Sequence, residues 1–227
     1  VVDGSGLNAE DLHSMVVADM WRTQSGDTDP WILFTFAEPL KLHEMMVWNH
    51  NLEVELDMGL GIQEARVEYS VDGTNWSSLG AVQFAQATAQ ADYAANTTVA
   101  FDGAVAQYVK VTPISNWGGV LVQYGLSEVR FSYVPVRAYE PEPVDGAAGV
   151  SVESDLMWRA GREAASHEVY LGTDANDLAL VDTVARNEYD PDVLDLDTQY
   201  FWRIVEVNEA EAFAAWQGDL WSFTTQQ

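Results

Sequence analysis

The chain contains no cysteine. Disulfides and thiolate zinc sites are therefore excluded, while the compartment stays open, because many secreted bacterial proteins also lack cysteine. Basic residues are scarce, with 10 Lys and Arg against 36 Asp and Glu and a formal net charge of −26. Such a surface repels phosphate backbones and anionic lipid, which argues against nucleic acid and membrane partners and suits cations or high salt. Its plainest role is to keep a secreted protein in solution. No apolar run approaches the ~18 residues of a membrane span, and no signal-peptide pattern is seen. Signals for catalysis are thin. Of four histidines, only His13 stands beside a hydroxyl, that of Ser14, and adjacency in sequence does not make a dyad. Gly59-Leu60-Gly61 lacks the third glycine and the helix start of a nucleotide fingerprint. Glu53, Glu55 and Asp57 recur every second residue, a spacing that suggests paired carboxylates for glycoside hydrolysis, but a solvated acidic loop is the simpler reading.

What is present points to a packed β protein. The sequence is 48% hydrophobic and 11% aromatic, enough to bury a core, and 227 residues leave room for one large or two medium domains. It opens on Val1-Val2-Asp3-Gly4, already strand-like, and reads as an excised piece of a larger protein. Residues 31–36 and 41–48 are short aromatic and β-branched runs, predicted as two strands with Glu38-Pro39 closing the first. Ala65, Val67 and Tyr69 alternate with Arg66, Glu68 and Ser70, a half-buried strand, and Asp72-Gly73 then signals a hairpin. Further strands are expected at 97–101 and 107–113. Trp117 stands on a glycine pair, which marks a turn, before a strand carrying Leu126, Glu128, Val129, Arg130 and Phe131. Alternating prolines at 139–143 predict a stiff connector, and strands at 156–158, 167–171, 180–184, 200–207 and 221–225 follow it. The expectation is an all-β chain of two sandwiches, spanning residues 1–137 and 138–227.

The first half resembles the discoidin class, the coagulation factor V/VIII type C domains, which includes many bacterial carbohydrate-binding modules. The resemblance rests on Val2-Asp3-Gly4, Trp21, the run 31–36, Val67 through Trp76, Tyr108-Val109-Lys110-Val111 and Leu126 through Phe131, in the family's order. It implies a discoidin-like β-sandwich of jelly-roll type. The second half resembles a smaller immunoglobulin-like fold, the fibronectin type III domain. Leu156-Met157-Trp158 matches an early Trp strand, the stretch from Leu194 to Tyr200 the tyrosine corner, with Leu196 in place of a proline, and Trp221 to Thr225 the closing strand. A buried corner tyrosine bonds nearby backbone through its hydroxyl. The role implied for this half is spacing.

The discoidin resemblance also implies two sites. One is a structural calcium ion. Asp3 and Glu128 match its carboxylates, Ser5 and Ser127 would offer carbonyl oxygens, and Asn8 another oxygen, with Asp19 competing for that place; hard cations take six to eight oxygens. The other is a sugar site on the loops at one end. Asn49, His50 and Asn51 are its polar candidates, Trp117 its aromatic platform, and His13 or Arg22 would close it, whereas Trp21 and Trp48 read as core and Asn49 equally suits a turn cap. The expected function is a non-catalytic, calcium-stabilised pair of modules that anchors a larger secreted or surface protein to polysaccharide. Its partners would be carbohydrate and covalently linked neighbouring domains, and its state monomeric. The rival is a pair of structural or adhesive modules contacting protein, for which an exposed apolar patch would speak.

Overall fold

The computed structural model describes residues 2–227. The chain divides into two units, the first running to Val134 and the second from Pro135 to Gln227. The division falls slightly before the expected junction after residue 137.

The first unit comprises β1 (Trp21–Arg22), β2 (Ile32–Asn49), one helical turn α1 (Glu55–Met58), β3 (Ile62–Ser70), β4 (Ser77–Gln83), β5 (Thr97–Ala100), β6 (Val105–Asn116) and β7 (Gly125–Val134). Hydrogen bonding runs in the order β1-β7-β2-β6-β3-β4, with β5 also on β2. The two strands expected at 31–36 and 41–48 are one strand, β2. Its ladder with β6 slips between Thr35 and Leu40, where Pro39 lies. Proline cannot donate to a ladder, and a register slip is a place where a strand tolerates it. Past the slip, β2 takes β7 along Lys41–Asn49 and β5 along Glu44–Val47. By changing partners the strand wraps a single core of Phe34, Leu42, Met45 and Val47 with Val67 of β3, Val109 and Val111 of β6, and Val129 of β7. Phe131 meets Phe34, Phe36 and Phe101 edge-on, with centroids 5.2, 5.1 and 6.2 Å apart, the arrangement that ring quadrupoles prefer.

The second unit comprises β8 (Tyr139–Glu142), β9 (Ala147–Val150), β10 (Leu156–Arg159), β11 (Ser166–Gly172), β12 (Ala179–Val184), β13 (Glu188–Tyr189), β14 (Gln199–Val207), β15 (Ala215–Gln217) and β16 (Trp221–Thr225). One sheet has the order β13-β10-β8, the other β12-β11-β14-β16-β9 with β15 on β14. Between them lie Leu156, Trp158, Val169, Trp202, Ile204, Trp221 and Phe223. The expected connector at 139–143 is corrected in part: Tyr139–Glu142 is an edge strand on β10. An edge strand bonds on one side only, so Pro141 costs it no ladder. At the corner, the Tyr200 hydroxyl accepts the Asp195 backbone N–H at 3.0 Å. His167 and Glu206 pair in the interior, and Glu206 also accepts the Gly161 N–H at 2.8 Å.

The hairpin between β3 and β4 turns on Asp72. Its Oδ1 accepts the backbone N–H groups of Thr74 and Asn75, both at 2.8 Å, and its Oδ2 the Asn75 amide at 2.6 Å. The Asn75 bonds above all hold the carboxyl far below the usual aspartate range. A depressed carboxylate contributes stability above its unfolded value that is lost as pH falls toward its folded one. The urea midpoint of Asp72→Asn should therefore lie below that of the wild type at pH 7, and the gap should close as pH falls below about 4. A pH-independent gap would contradict the assignment.

Candidate functional site

The polar loop after β2 was expected at the surface. Asn49, His50 and Asn51 are instead fully buried, and they cannot touch a ligand as they stand. Each is held from inside. Asn49 donates through Nδ2 to the carbonyls of Ile62 and Ala85 at 2.7 and 2.8 Å, and its Oδ1 accepts the N–H groups of His50 and Ile62. His50 Nδ1 meets Glu55 Oε2 at 2.6 Å, and Glu55 Oε1 accepts the Gly61 N–H at 2.7 Å. Asn51 donates through Nδ2 to the carbonyls of Ser14 and Gln90. Tyr93 joins this network: its hydroxyl accepts the Asn49 N–H at 3.0 Å, and burial pushes its ionisation upward. Buried polar groups persist where they are bonded, and these three side chains serve as internal fasteners for loops that lack ladder partners of their own.

Glu55 was expected on a solvated loop. It lies on α1, is fully buried, and closes the network. Sequence reading left it on the solvated loop; the one available signal was a histidine five residues before it, which the turn leading into α1 brings into reach. His13 is corrected likewise. It is buried, its main chain bridges Leu7 and Tyr93, and its Nδ1 lies 2.8 Å from the Ser14 carbonyl. Arg22 stays exposed on β1, opposite Gly125 of β7. Trp21 packs partly buried against the core and Trp48 is buried beside Ala87 and Tyr93, as expected.

Trp117, the expected aromatic platform, is accessible as well, with 38% of its surface open. Its indole N–H donates to the Phe84 carbonyl at 3.0 Å, which fixes the ring. The backbone beneath it is tight. Gly118 N–H donates to the Gly59 carbonyl at 2.8 Å, and Trp117 N–H to that of Gly61 at 3.1 Å. A Cβ on Gly118 would strike the Met58 carbonyl, and one on Gly59 the Gly118 backbone, so glycine is required at both. This contact joins the α1 loop to the loop after β6. Around Trp117 the joined loops expose Val54, Leu56, Met58, Val120, Leu121 and Val122. The ring thus stands in an apolar rim, apart from the buried asparagines expected beside it.

The residues implied for a metal divide as well. Glu128 lies on β7 and is 1% exposed, and desolvation foremost raises its pKa, with the Asp3 charge adding to the rise. Gly4 N–H donates to its Oε2 at 3.2 Å, so the first loop does reach the last strand. Asp3 Oδ1 takes the Ser5 N–H and hydroxyl at 3.0 and 2.7 Å, which lowers its pKa. The Ser127 hydroxyl accepts the Asn51 N–H at 3.2 Å. Asn8 is a correction: its Oδ1 is committed to the N–H groups of Glu10 and Leu12, capping its own turn. Asp19 lies beside Gly6 of the first loop, its Cβ within 2.9 Å of where a Gly6 side chain would begin, and its Oδ2 accepts the Ser14 hydroxyl at 3.0 Å. Among the described residues no three His, Cys, Asp or Glu gather to hold a metal. The charge of Asp3 reaches Glu128, and carboxylates beside main-chain oxygens are the donor type that a hard cation takes.

The F5/8 type C domain matches residues 3–124, more than half of the chain. The chain belongs to that family. No curated protein matches it. Among solved structures, the F5/8 type C unit is similar to CBM32-3 of a family 31 glycoside hydrolase from Clostridium perfringens, at 18% identity and TM-score 0.41, covering 58% of this chain and 94% of that one. A family 89 glycoside hydrolase from Clostridium perfringens, solved with GlcNAc-alpha-1,4-galactose, is similar at 13% identity and TM-score 0.37; the match covers 54% of this chain and 12% of that enzyme. The fibronectin type-III domain of human fibronectin type III domain containing protein 3 is similar at 18% identity and TM-score 0.32, over 42% of this chain and 89% of that one.

The buried network makes its own prediction. Glu55→Ala strands the donors of His50 and Gly61 and should cost about 3 kcal/mol, at 1–3 kcal/mol for each buried group left unpaired. Glu53→Ala, two residues earlier on the exposed part of the loop, should cost less than about 0.5 kcal/mol. Urea unfolding of both variants measures the difference; equal effects would contradict the burial of Glu55.

Proposed function

We propose that the F5/8 type C unit binds carbohydrate at the Trp117 rim and that the chain is a non-catalytic accessory piece of a larger protein. The observation that carries this reading is the half-open indole, held rigid by its bond to Phe84 and standing where the loop after β6 begins. An immobilised ring offers a flat apolar face to the C–H side of a sugar at little entropic cost. Family membership supports the reading, since the resemblance includes many carbohydrate-binding modules. A trench of about 560 Å3 in the unit is lined by Phe34, Phe36, Phe131 and Tyr133 and by no carboxylate. That lining lacks the carboxylate pair that glycoside hydrolysis uses. Extending the reading, the second unit is a fibronectin type III-like spacer, supported by its two-sheet core and by the Tyr200 corner bond. The whole would serve outside the cell, holding a larger bacterial protein to polysaccharide as a monomer.

Calcium belongs to the same proposal. Asp3 and Glu128 would hold it with main-chain oxygens at Ser5 and Ser127, and Asp19 in place of Asn8. Bound there, the ion would neutralise Glu128 and fasten the first loop to β7. Calcium at a hundredfold excess over its Kd would stabilise the unit by about 2.7 kcal/mol. Chelator should then lower the calorimetric transition of the F5/8 type C unit by several degrees, reversed by added calcium. A transition indifferent to both rules the ion out.

One observation favours a second reading. The rim around Trp117 is apolar and contains Leu56, Met58 and Val120, which suits a protein partner. Affinity electrophoresis through immobilised polysaccharides, with a glycan array beside it, separates the two. Retention by at least one glycan, reduced tenfold or more in Trp117→Ala, supports sugar binding. No retention by any glycan leaves the protein-contact reading standing alone.

A further inference from the structure

The second unit carries a feature that spacing does not use. On the face of its six-stranded sheet turned away from the core, Arg203 of β14 lies directly opposite Tyr170 of β11. The 173–178 loop after β11 folds back over this face, pressing Asp177 and Leu178 so near Gly172 that a Cβ there would lie 3.1 Å from the Asp177 carbonyl. Loop and sheet enclose a concavity of about 300 Å3 lined by Tyr170, Asn176, Leu178, Arg203, Val205 and Gln217. Its volume is at the lower end for small-molecule sites, the size of one sugar ring.

Arg203 is the anomaly within it. Carboxylates outnumber Lys and Arg by 36 to 10 in this chain, yet among the described residues none pairs with this guanidinium. Its Nε is buried and has no hydrogen-bond partner. Three nearby acids are bonded elsewhere. Glu168, on the same face of β11, accepts the Tyr170 hydroxyl at 3.0 Å. Asp174 caps its own loop by accepting the Asn176 N–H at 2.9 Å. Glu206 points to the opposite face, where it pairs with His167. A buried donor left without an acceptor costs about 1–3 kcal/mol, and the half-exposed Arg203 side chain lines the concavity, where an acceptor from outside meets it.

We propose that this concavity binds a carboxylate-bearing sugar, a residue of the uronic acid class. The guanidinium presents a planar fork that matches a carboxylate by two parallel N–H···O bonds. The amides of Asn176 and Gln217 supply both donors and acceptors, as ring hydroxyls require. Leu178 and Val205 form an apolar wall for the C–H side of the ring. The selectivity comes from Arg203: the surrounding acidic surface repels anions in general, so a carboxylate is held only where the fork and the hydroxyl contacts act together. The site lies wholly in the second unit and does not depend on the Trp117 reading.

The test uses the whole chain and four probes, glucuronate, glucose, acetate and a short peptide with a free C-terminal carboxylate, titrated while the side-chain resonances of Arg203 and Gln217 are followed by NMR. Glucuronate should shift them saturably, with glucose and acetate each binding at least tenfold more weakly. Arg203→Gln should weaken glucuronate tenfold or more, and Arg203→Lys, which keeps the charge but loses the fork, should recover only part of that. Because Arg203 is partly exposed, an unchanged thermal transition in each variant separates loss of the site from loss of the fold. Glucuronate binding that equals that of glucose or acetate, that survives Arg203→Gln, or that is absent would overturn the proposal. So would binding equal to that of a peptide C-terminal carboxylate, which would make the site a peptide acceptor.

Discussion

The architecture of the first unit depends on a cost that its loops must meet. The chain between β2 and β3 and the long stretch from β4 to β5 run across the end of the sandwich without ladders. Backbone groups buried there need partners from somewhere. Asn49, His50, Asn51 and Glu55 supply them: the end of β2 turns inward and its side chains bond the carbonyls of Ile62, Ala85 and Gln90 and the N–H of Gly61. Remove that fastening and three loops lose their common anchor, including the one on which the Trp117 rim is built.

From this fastening the rim follows. With Glu55 drawn inward, α1 presents Leu56 and Met58 outward, because successive residues of a helical turn point in different directions. Gly59 then leaves the helix in the left-handed region, φ 57°, and approaches Gly118 closely enough to exclude any side chain from either. The indole of Trp117 is set by that approach and by the Phe84 carbonyl. A surface feature is thus positioned by buried polar chemistry one layer beneath it. The second unit shows a related economy: the face of β14 that packs inward carries Trp202 and Ile204, while the residue between them, Arg203, turns out to the concavity.

Much of the fold was legible because strands declare themselves by alternation. Val67 and Trp202 are buried where a period of two places them, and the Tyr200 hydroxyl bonds backbone as a corner tyrosine should. Pro39 misled, since a proline looks like the end of a strand until the register slip that accommodates it is visible. The site was less legible for a different reason. Polarity is a local property, but burial is decided by partners far along the chain, and nothing near Asn49 announces the carbonyl of Ala85, 36 residues away. Asn8 was misassigned on the same ground, its oxygen being consumed by its own turn. The apolar rim escaped notice because Leu56 and Val120 are unremarkable singly and become a surface only when two glycines bring their loops together.

The central claim is that ligand is met at the rim and not at the polar loop once expected to hold it. Nine tryptophans are present, and the indole N–H of Trp117 gives a resonance that selective substitution can assign. Titrating the whole chain with a glycan that it retains should move the Trp117 indole signal progressively while the ring signals of His50 stay fixed. Movement of the His50 signals with a stationary Trp117 would contradict the account.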